Sequence, residues 1–451
     1  MKTGGALTRT RLALTGVLVV TVTWVSLTRP LSPLFSYLHP KSAILPGAHA
    51  RNQHRLSEAR DYFRSLPKPQ DPPASNDLLR LNNETNSISG SVKFVIVIIT
   101  TQRPAPKADD DEGAPGYLLQ TASKIHAEIH QAGVLNGSFL FVCNVDTHPT
   151  KHEDAVYLRD YIPFVELHGR SSHSVALQSP KHKLSYSQLY HNTVVEKERW
   201  DYIFCLHSAV ALIPKTDYIM ILEDDVIPLP DMSIVLQDVL ERIRFPEKSR
   251  NPELCSGVLS FLLSTLTHSV VSNESETPRV RKFAFLKLYL PEKWRGFYLF
   301  DFLRMTDLAS FAAVGSGAVL VLAWICSANP KLFRPSWLNF FEGVIFSLLV
   351  CFLVGRVNVN ELRRASKHLY RVQPSPGCCT PAMLYPSDVV PFLMTWLAES
   401  PVDKPMDISI DSMAGFLGLP GLCVEPVLFR HIGMSSTLGH SSDRPEEFLL
   451  V

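Results

Sequence analysis

Three consecutive acidic residues follow an apolar run near the middle of the chain. Glu223, Asp224 and Asp225 come directly after residues 218–222, which read YIMIL. Carboxylates at this spacing repel one another unless a cation joins them, and a divalent ion held by one or two carboxylates can take its remaining ligands from a diphosphate. The triplet therefore predicts a metal and diphosphate site, with Asp225 and Glu223 as metal ligands. A solvated turn is the alternative interpretation.

A histidine near the end of the chain is a candidate for a further metal ligand. His431 follows the short apolar run 427–429 and precedes Gly433. A neutral imidazole nitrogen is a common metal ligand. Taken alone, His431 is more simply a hydrogen-bonded structural histidine. The presence of the acidic triplet favours the interpretation of His431 as a metal ligand, because a metal site with protein ligands on two sides needs a second segment of the chain.

Alternating strands and helices are predicted to position these residues. Three apolar, β-branched runs predict buried strands at 92–99, 138–145 and 218–222, and helices are expected at 117–132 and 197–212. This alternation predicts an α/β fold with a doubly wound, mainly parallel sheet. Ligands of such sheets bind at the carboxyl ends of the strands, where the triplet falls.

Three apolar blocks indicate membrane segments. Residues 12–28 follow a basic cytosolic tail, 1–11, and predict a transmembrane signal anchor. Residues 307–326 and 338–354 predict a transmembrane helical hairpin, joined by a cytosolic loop at 327–337. A cleaved signal peptide is the alternative for the first block, and a pair of buried core helices is the alternative for the hairpin.

This topology places the remainder of the chain in one lumen. The expected parts are a stem at 29–91, whose prolines should exclude a long helix, and a luminal domain in two pieces at 92–306 and 355–451. A hairpin leaves and re-enters on the same side, so both pieces share one compartment. Three sequons in the luminal part of the chain before the hairpin, residues 29–306, are expected glycosylation sites: Asn83, Asn136 and Asn273.

Charge and cysteine content narrow the class of protein further. The chain has 44 Lys and Arg against 43 Asp and Glu, and its formal net charge of +1 excludes a nucleic-acid binder driven by global charge. Of the eight cysteines, Cys326 and Cys351 lie in the predicted hairpin, and the other six permit three disulfides. Fifteen connectivities are possible for six cysteines. The adjacent Cys378 and Cys379 are expected to bond to different partners.

Three motifs and one insertion together carry a family resemblance. The motifs are ILEDDVIPLP at 221–230, CCTPAMLYP at 378–386 and VEPVLFRHIGMSSTL at 424–438, and the insertion is the predicted hairpin. The chain from about Val92 to Leu438 resembles the Golgi GPI-glycan N-acetylgalactosamine transferases. That resemblance implies a GT-A-type fold, UDP-N-acetylgalactosamine as donor, manganese, and the mannose core of GPI-anchored proteins as acceptor. It also implies a Golgi membrane location with a luminal catalytic domain.

The resemblance extends to the roles of individual residues. It makes Glu223, Asp224 and Asp225 the metal and diphosphate site, and His431 matches the family's C-terminal histidine. The family forms a β-linkage, which implies inversion and hence a carboxylate base. Asp407 is the candidate base and Asp411 the alternative. Either acid could instead simply stabilise the start of a helix through the helix dipole.

One basic residue and two rival functions complete the sequence-based expectations. Arg103 follows the first predicted strand and is a candidate for binding the nucleotide phosphate as a bidentate donor, with a surface arginine as the alternative. One rival function is a related membrane transferase that uses another nucleotide sugar or lipid glycan. The other is a non-catalytic membrane cargo receptor that keeps the fold.

Overall fold

The computed structural model of the chain describes most of the predicted luminal domain. The described residues are 16–17, 19–25, 27–28, 39, 41–67, 92–103, 115–130, 135–166, 177–178, 183–184, 193–244, 282–291, 302–325, 337–401 and 403–434. The sequons at Asn83 and Asn273, and Cys255 and Cys326, lie outside them. Asn136 lies within them, exposed in a turn.

Twelve strands are present in the described residues. They are β1 (Val92–Thr100), β2 (Phe139–Asn144), β3 (Phe164–Glu166), β4 (Leu177–Gln178), β5 (Lys183–Leu184), β6 (Thr216–Glu223), β7 (Val226–Pro228), β8 (Phe285–Lys287), β9 (Arg371–Pro374), β10 (Ala382–Pro386), β11 (Gly421–Glu425) and β12 (Phe429–His431). The three predicted strands are confirmed as β1, β2 and β6. Their continuous apolar runs reflect burial on both faces.

The described residues between 16 and 28 are helical, and ten α-helices accompany these strands in the described ranges from residue 41 onward. They are α1 (Lys41–Ser65), α2 (Tyr117–His130), α3 (Glu153–Leu158), α4 (Val194–Leu212), α5 (Met232–Arg244), α6 (Phe302–Ile325), α7 (Trp337–Val354), α8 (Arg356–Asn360), α9 (Val390–Glu399) and α10 (Met406–Leu417). The two helices predicted from the first part of the domain are confirmed as α2 and α4. Thr193 begins α4 by accepting a hydrogen bond from the Glu196 backbone N–H.

The central sheet has eight strands in the order β3-β2-β1-β6-β10-β8-β11-β9. Strands β3, β2, β1 and β6 are mutually parallel, and β8 and β11 are parallel to each other. Strand β10 runs antiparallel to both of its neighbours, β6 and β8. The edge strand β9 is antiparallel to β11. The sheet is therefore mostly parallel, as the sequence predicts, with reversals at β10 and β9 that the strand pattern alone does not reveal.

Apolar side chains cover both faces of the sheet, which confirms the doubly wound arrangement. One core contains residues of β1, β6, α1, α2 and α5, and the other contains residues of β1, β6, α4, α9 and α10. A disulfide between Cys143 of β2 and Cys205 of α4 lies in the second core. The structure thus has the mixed α/β architecture of a GT-A-like fold.

Helix α1 corrects the expectation that prolines exclude a long helix from the predicted stem. It runs for 25 residues and contains Pro46. Leu56 and Phe63 of this helix are fully buried in the core beside α2, and Asn52 accepts a hydrogen bond from Gln120. Burial of this apolar face outweighs the local cost of the proline, so the segment packs onto the domain.

The two apolar blocks of the predicted hairpin form helices α6 and α7, which pack against each other. The Ser316 hydroxyl donates a hydrogen bond to the Phe340 carbonyl, and Gly343 lies directly against Ser316. No single helix in the described ranges has both the length and the apolar composition of a membrane span. Residues 340–354 and 356–365 reach both only together, as a pair bent by 110°.

A buried carboxylate joins the end of α7 to the sheet. Glu425, the last residue of β11, accepts hydrogen bonds from Arg356 and Asn360 of α8 and from Arg371 of β9. Burial opposes the charge of Glu425, but Arg356 and Arg371 outweigh this effect and lower the pKa of Glu425. We call Glu425, Arg356, Asn360 and Arg371 the junction cluster.

Candidate active site

The acidic triplet lies at the carboxyl end of β6, along the edge of the sheet that is formed by the ends of the parallel strands. Glu223 is the last residue of β6, Asp224 and Asp225 form the turn, and β7 begins at the next residue. Because β1 is parallel to β6 and ends beside it, Thr100 reaches the same edge. This is the edge at which open α/β sheets bind their ligands.

Asp224 is held by three neighbours. Its carboxylate accepts a hydrogen bond from the Thr100 hydroxyl at 2.7 Å and one from Arg103 at 2.7 Å, and its carbonyl accepts one from Thr121 at 2.7 Å. The single proton of the Thr100 hydroxyl goes to Asp224, so His152 Nε2 donates to that hydroxyl at 2.8 Å. Burial lowers the pKa of His152, which favours this neutral donor. Asp224 is therefore fixed in position.

Asp225 is the most enclosed member of the triplet and contacts two cationic groups. Its Oδ2 lies 2.7 Å from Arg103 and 2.9 Å from His431 Nε2. Strand β12 pairs with β7 and places His431 opposite Val226, and the Ile432 N–H donates to the Asp225 carbonyl at 2.7 Å. The short β7–β12 ribbon thus brings the C-terminal histidine onto the triplet, and its role as a metal ligand stays a prediction.

Opposite charges dominate the electrostatics of this contact. Burial acts to raise the pKa of Asp225, but Arg103 and His431 outweigh it, and the pKa lies well below its ordinary value. Burial acts to lower the pKa of His431, but Asp225 outweighs it and raises that pKa. Asp225 is consequently an anion over the whole physiological range, beside two groups that carry or can take positive charge.

Glu223 lies in a different environment from Asp225. Burial, reinforced by the charge of Asp225, raises the pKa of Glu223 to about 8. Its backbone N–H donates to the Pro381 carbonyl at 2.8 Å, and Thr380 Oγ1 lies 3.5 Å from its carboxylate. Glu223 is therefore directed toward the loop before β10, and its role as a metal ligand stays a prediction.

As metal ligands, Asp225 and His431 would be an incomplete set. Asp225 Oδ1 is buried and makes no hydrogen bond, whereas Oδ2 is shared by Arg103 and His431. Among the residues the structure describes, no three His, Cys, Asp or Glu side chains converge on one point. The pair fits a divalent ion that takes most of its ligands from a bound diphosphate. Binding of such an ion would require His431 to be neutral.

Gly433 provides the space next to the carboxylate of Asp225. A Cβ atom at position 433 would lie 2.0 Å from Asp225 Oδ2 and 3.1 Å from His431 Cε1. Any side chain here would displace a carboxylate that Arg103 and His431 both hold. The glycine is therefore part of the candidate site, although the sequence indicates it only as a turn after the histidine.

The candidate bases lie on helix α10, on the far side of the loop at 375–381. Asp407 accepts hydrogen bonds from the Cys379 N–H at 3.0 Å and the Ile408 N–H at 2.7 Å. Asp411, one turn later, lies 3.5 Å from Lys287, and burial raises the pKa of Asp411 against the opposing effect of that lysine. The same loop contacts Glu223 through Thr380 and Pro381, and both acids stay predictions for the base.

Arg103 is a site residue rather than the surface arginine of the alternative interpretation. Its side chain is only 10% exposed, binds both Asp224 and Asp225, and lies over the ring of Tyr117 at 5.1 Å. Binding of a nucleotide phosphate by Arg103 stays a prediction. The sequence pattern does not single out Tyr117, Thr121 or His152, because such residues at helix starts and interiors carry no distinctive motif.

Comparison with known protein families agrees with this geometry. The family model described as GPI-N-acetylgalactosamine transferase PGAP4 matches residues 94–430. The match begins within β1, contains the triplet, spans both helices α6 and α7, and ends at the residue before His431. It covers well over half of the 451 residues. The chain therefore belongs to the family of GPI-N-acetylgalactosamine transferases and is a glycosyltransferase.

Proposed function

We propose that the protein transfers N-acetylgalactosamine from UDP-N-acetylgalactosamine to the mannose core of GPI anchors. The observation that carries this proposal is the enclosed Asp225 at the end of β6, with Arg103 and His431 on one carboxylate oxygen and the other oxygen buried without a partner. That arrangement suits a diphosphate with its counter-ion. The family match supports the sugar and the acceptor.

The proposed mechanism assigns separate tasks to the two sides of the loop at 375–381. When bound, a divalent ion such as Mn²⁺ neutralises charge on the leaving nucleotide. Asp225 and His431 would hold that ion, and Arg103 would keep the carboxylates in place and bind the diphosphate. Asp407, or Asp411 in its place, would take the proton of the attacking acceptor hydroxyl, which an inverting transfer requires.

We further propose that the protein lies in the Golgi membrane with its catalytic domain in the lumen. Support comes from the apolar composition of α6 and α7 and from the exposed sequon at Asn136. A hairpin inserted in the membrane would keep the active site close to an acceptor that is attached to lipid. The effective concentration of that acceptor at the site would therefore be high. The proposal predicts an endoglycosidase-sensitive mass shift that Asn136→Gln reduces by the mass of one glycan. An unglycosylated Asn136 in secretory membranes would contradict it.

The central experiment compares two aspartate variants of the full-length protein purified in detergent. Asp225→Ala should lower transfer to a GPI glycan by at least about 100-fold, since it removes preorganised charge at the reacting diphosphate. The matched control is Asp388→Ala, which removes an exposed carboxylate 3.3 Å from Lys282 and should leave transfer unchanged. Thermal unfolding of each variant verifies that the fold is retained.

The same preparation distinguishes the proposed function from its rivals. Calorimetric titration with UDP in the presence and absence of Mn²⁺ should show metal-dependent binding that Asp225→Ala abolishes. Transfer from a different UDP-sugar, with none from UDP-N-acetylgalactosamine, would favour a related transferase. A folded wild type without UDP binding or transfer would favour a non-catalytic receptor.

A further inference from the structure

Two adjacent cysteines lie between the acidic triplet and the helix of the candidate bases. Cys378 and Cys379 are both half-buried, and their sulfur atoms are 2.9 Å apart. The expectation that they bond to different partners is not confirmed, since Cys143–Cys205 is the disulfide found within the described ranges. The structure instead directs the two side chains toward each other.

Charged side chains fix the peptide group that joins the two cysteines. The Cys378 carbonyl accepts a hydrogen bond from Lys287 Nζ at 2.7 Å, and the Cys379 N–H donates to Asp407 at 3.0 Å. The Lys287 side chain is fully buried and also lies 3.5 Å from Asp411. This one peptide group therefore contacts Asp407 directly and is connected to Asp411 through Lys287.

Cys379 adopts a backbone conformation that side-chain-bearing residues normally avoid. Its φ is +66°, in the left-handed region. A non-glycine residue in this region is strained and persists only when its surroundings hold it. This conformation directs the Cys379 N–H at Asp407, so whatever holds the residue in place also holds the donor to that carboxylate.

We propose that Cys378 and Cys379 form a vicinal disulfide that holds the Cys379 N–H on Asp407. Each thiol loses one proton and one electron, and the electrons pass to a disulfide oxidant, either a protein or a small molecule. One thiolate attacks that oxidant to give a mixed disulfide. The second thiolate then attacks the mixed disulfide and closes the Cys378–Cys379 bond, so that both sulfur atoms of the oxidant leave as thiols.

Two general considerations bear on this bond. The Cys143–Cys205 disulfide indicates maturation under oxidising conditions, in which a second disulfide is chemically accessible. Adjacent Cα atoms are about 3.8 Å apart, below the usual range of about 4.4–6.8 Å for disulfides, whereas those of Cys143 and Cys205 are 5.8 Å apart. The vicinal bond should therefore be reduced first.

Mass spectrometry of the full-length protein tests the bond without reference to activity. Free thiols are alkylated under non-reducing conditions, and cleavage with trypsin and cyanogen bromide then releases residues 372–383, whose cysteines are Cys378 and Cys379 alone. We expect an unalkylated peptide about 2 Da lighter than its dithiol, which takes up two alkyl groups after reduction. Two alkyl groups before reduction, or a cross-link to the peptide of Cys423 or Cys255, would overturn the proposal.

A kinetic test addresses the positioning of Asp407, and this part rests on the proposed function. Mild reduction that opens the vicinal bond and leaves Cys143–Cys205 closed should lower kcat for transfer several-fold, with KM for the UDP-sugar unchanged. Cys379→Ser should likewise lower kcat and leave KM unchanged. Cys423→Ser is the matched control that leaves the bond intact. Unchanged kcat after reduction would overturn the positioning role. Absence of transfer in every form would instead contradict the proposed function, and the mass of the 372–383 peptide still decides the bond.

Discussion

Removal of the buried charge at the junction cluster should destabilise the protein strongly. Glu425→Gln keeps the size of the side chain and some hydrogen bonds but leaves Arg356 and Arg371 without their carboxylate. The Arg356 and Arg371 side chains are 3% and 7% exposed. Breaking one partner of such a buried network costs about 3–5 kcal/mol, because uncompensated charge stays in a medium of low dielectric constant.

A matched variant distinguishes the cost of leaving buried charges without a partner from the cost of losing a more exposed ion pair. Glu361 pairs with Arg364 at 2.6 Å and with Arg430 at 3.3 Å, but its side chain is 28% exposed. Glu361→Gln should therefore cost no more than about 1 kcal/mol. Differential scanning fluorimetry of the detergent-solubilised protein should show a Tm that is lower by roughly 6 °C or more for Glu425→Gln and nearly unchanged for Glu361→Gln.

The pH dependence provides a second and independent readout. The folded-state pKa of Glu425 is lowered, so its contribution is fully present above the unfolded value of 4.5 and is lost as pH falls through the folded value. The Tm difference between wild type and Glu425→Gln should accordingly shrink as pH falls below about 4.5. Equal Tm values of the two proteins at pH 7 would refute the assignment of a stabilising buried carboxylate.

Three further substitutions test other parts of the fold and site. Gly433→Ala should abolish UDP binding in calorimetry, because its Cβ would lie 2.0 Å from the Asp225 carboxylate, whereas Gly415→Ala, with no atom within 4 Å, should not. His126→Asn should flatten the loss of Tm that we expect as pH falls from 6.5 toward 4, since burial lowers the pKa of His126 to about 4 and the unfolded chain takes up the proton first. Cys205→Ser should lower the free energy of unfolding in urea by about 4 kcal/mol, because it opens a disulfide with a sequence separation of 62. A wild-type Tm that is independent of pH, or an unchanged urea midpoint, would contradict the last two expectations.

Local patterns were sufficient to predict the elements that carry the triplet. Strands β1, β2 and β6 are buried on both faces, and their sequences are therefore continuous apolar runs. Helices α2 and α4 begin at or within three residues of the positions predicted from the sequence. The convergence of His431 on Asp225 was also predicted, because a site at a strand end needs ligands from more than one segment.

The remaining features depend on contacts between distant segments. Pro46 argued against a long helix at 41–65, and only packing of Phe63 into the core explains why the helix forms. The antiparallel β10 between β6 and β8 has no local signature, since strand order is set by tertiary packing. Arg103 could not be told from a surface arginine, because its burial comes from Tyr117 and the triplet together.

The position of β10 in the sheet has a consequence for how the chain is made. Strand β6 ends at residue 223, but its neighbour β10 begins only at residue 382, after α6 and α7. At about 5–20 residues per second, synthesis of the intervening chain takes on the order of ten seconds. Throughout that time the sheet of β3, β2, β1 and β6 has an open edge at β6, which is prone to wrong pairing. Nascent chains should therefore depend on chaperones until β10 emerges and closes this edge.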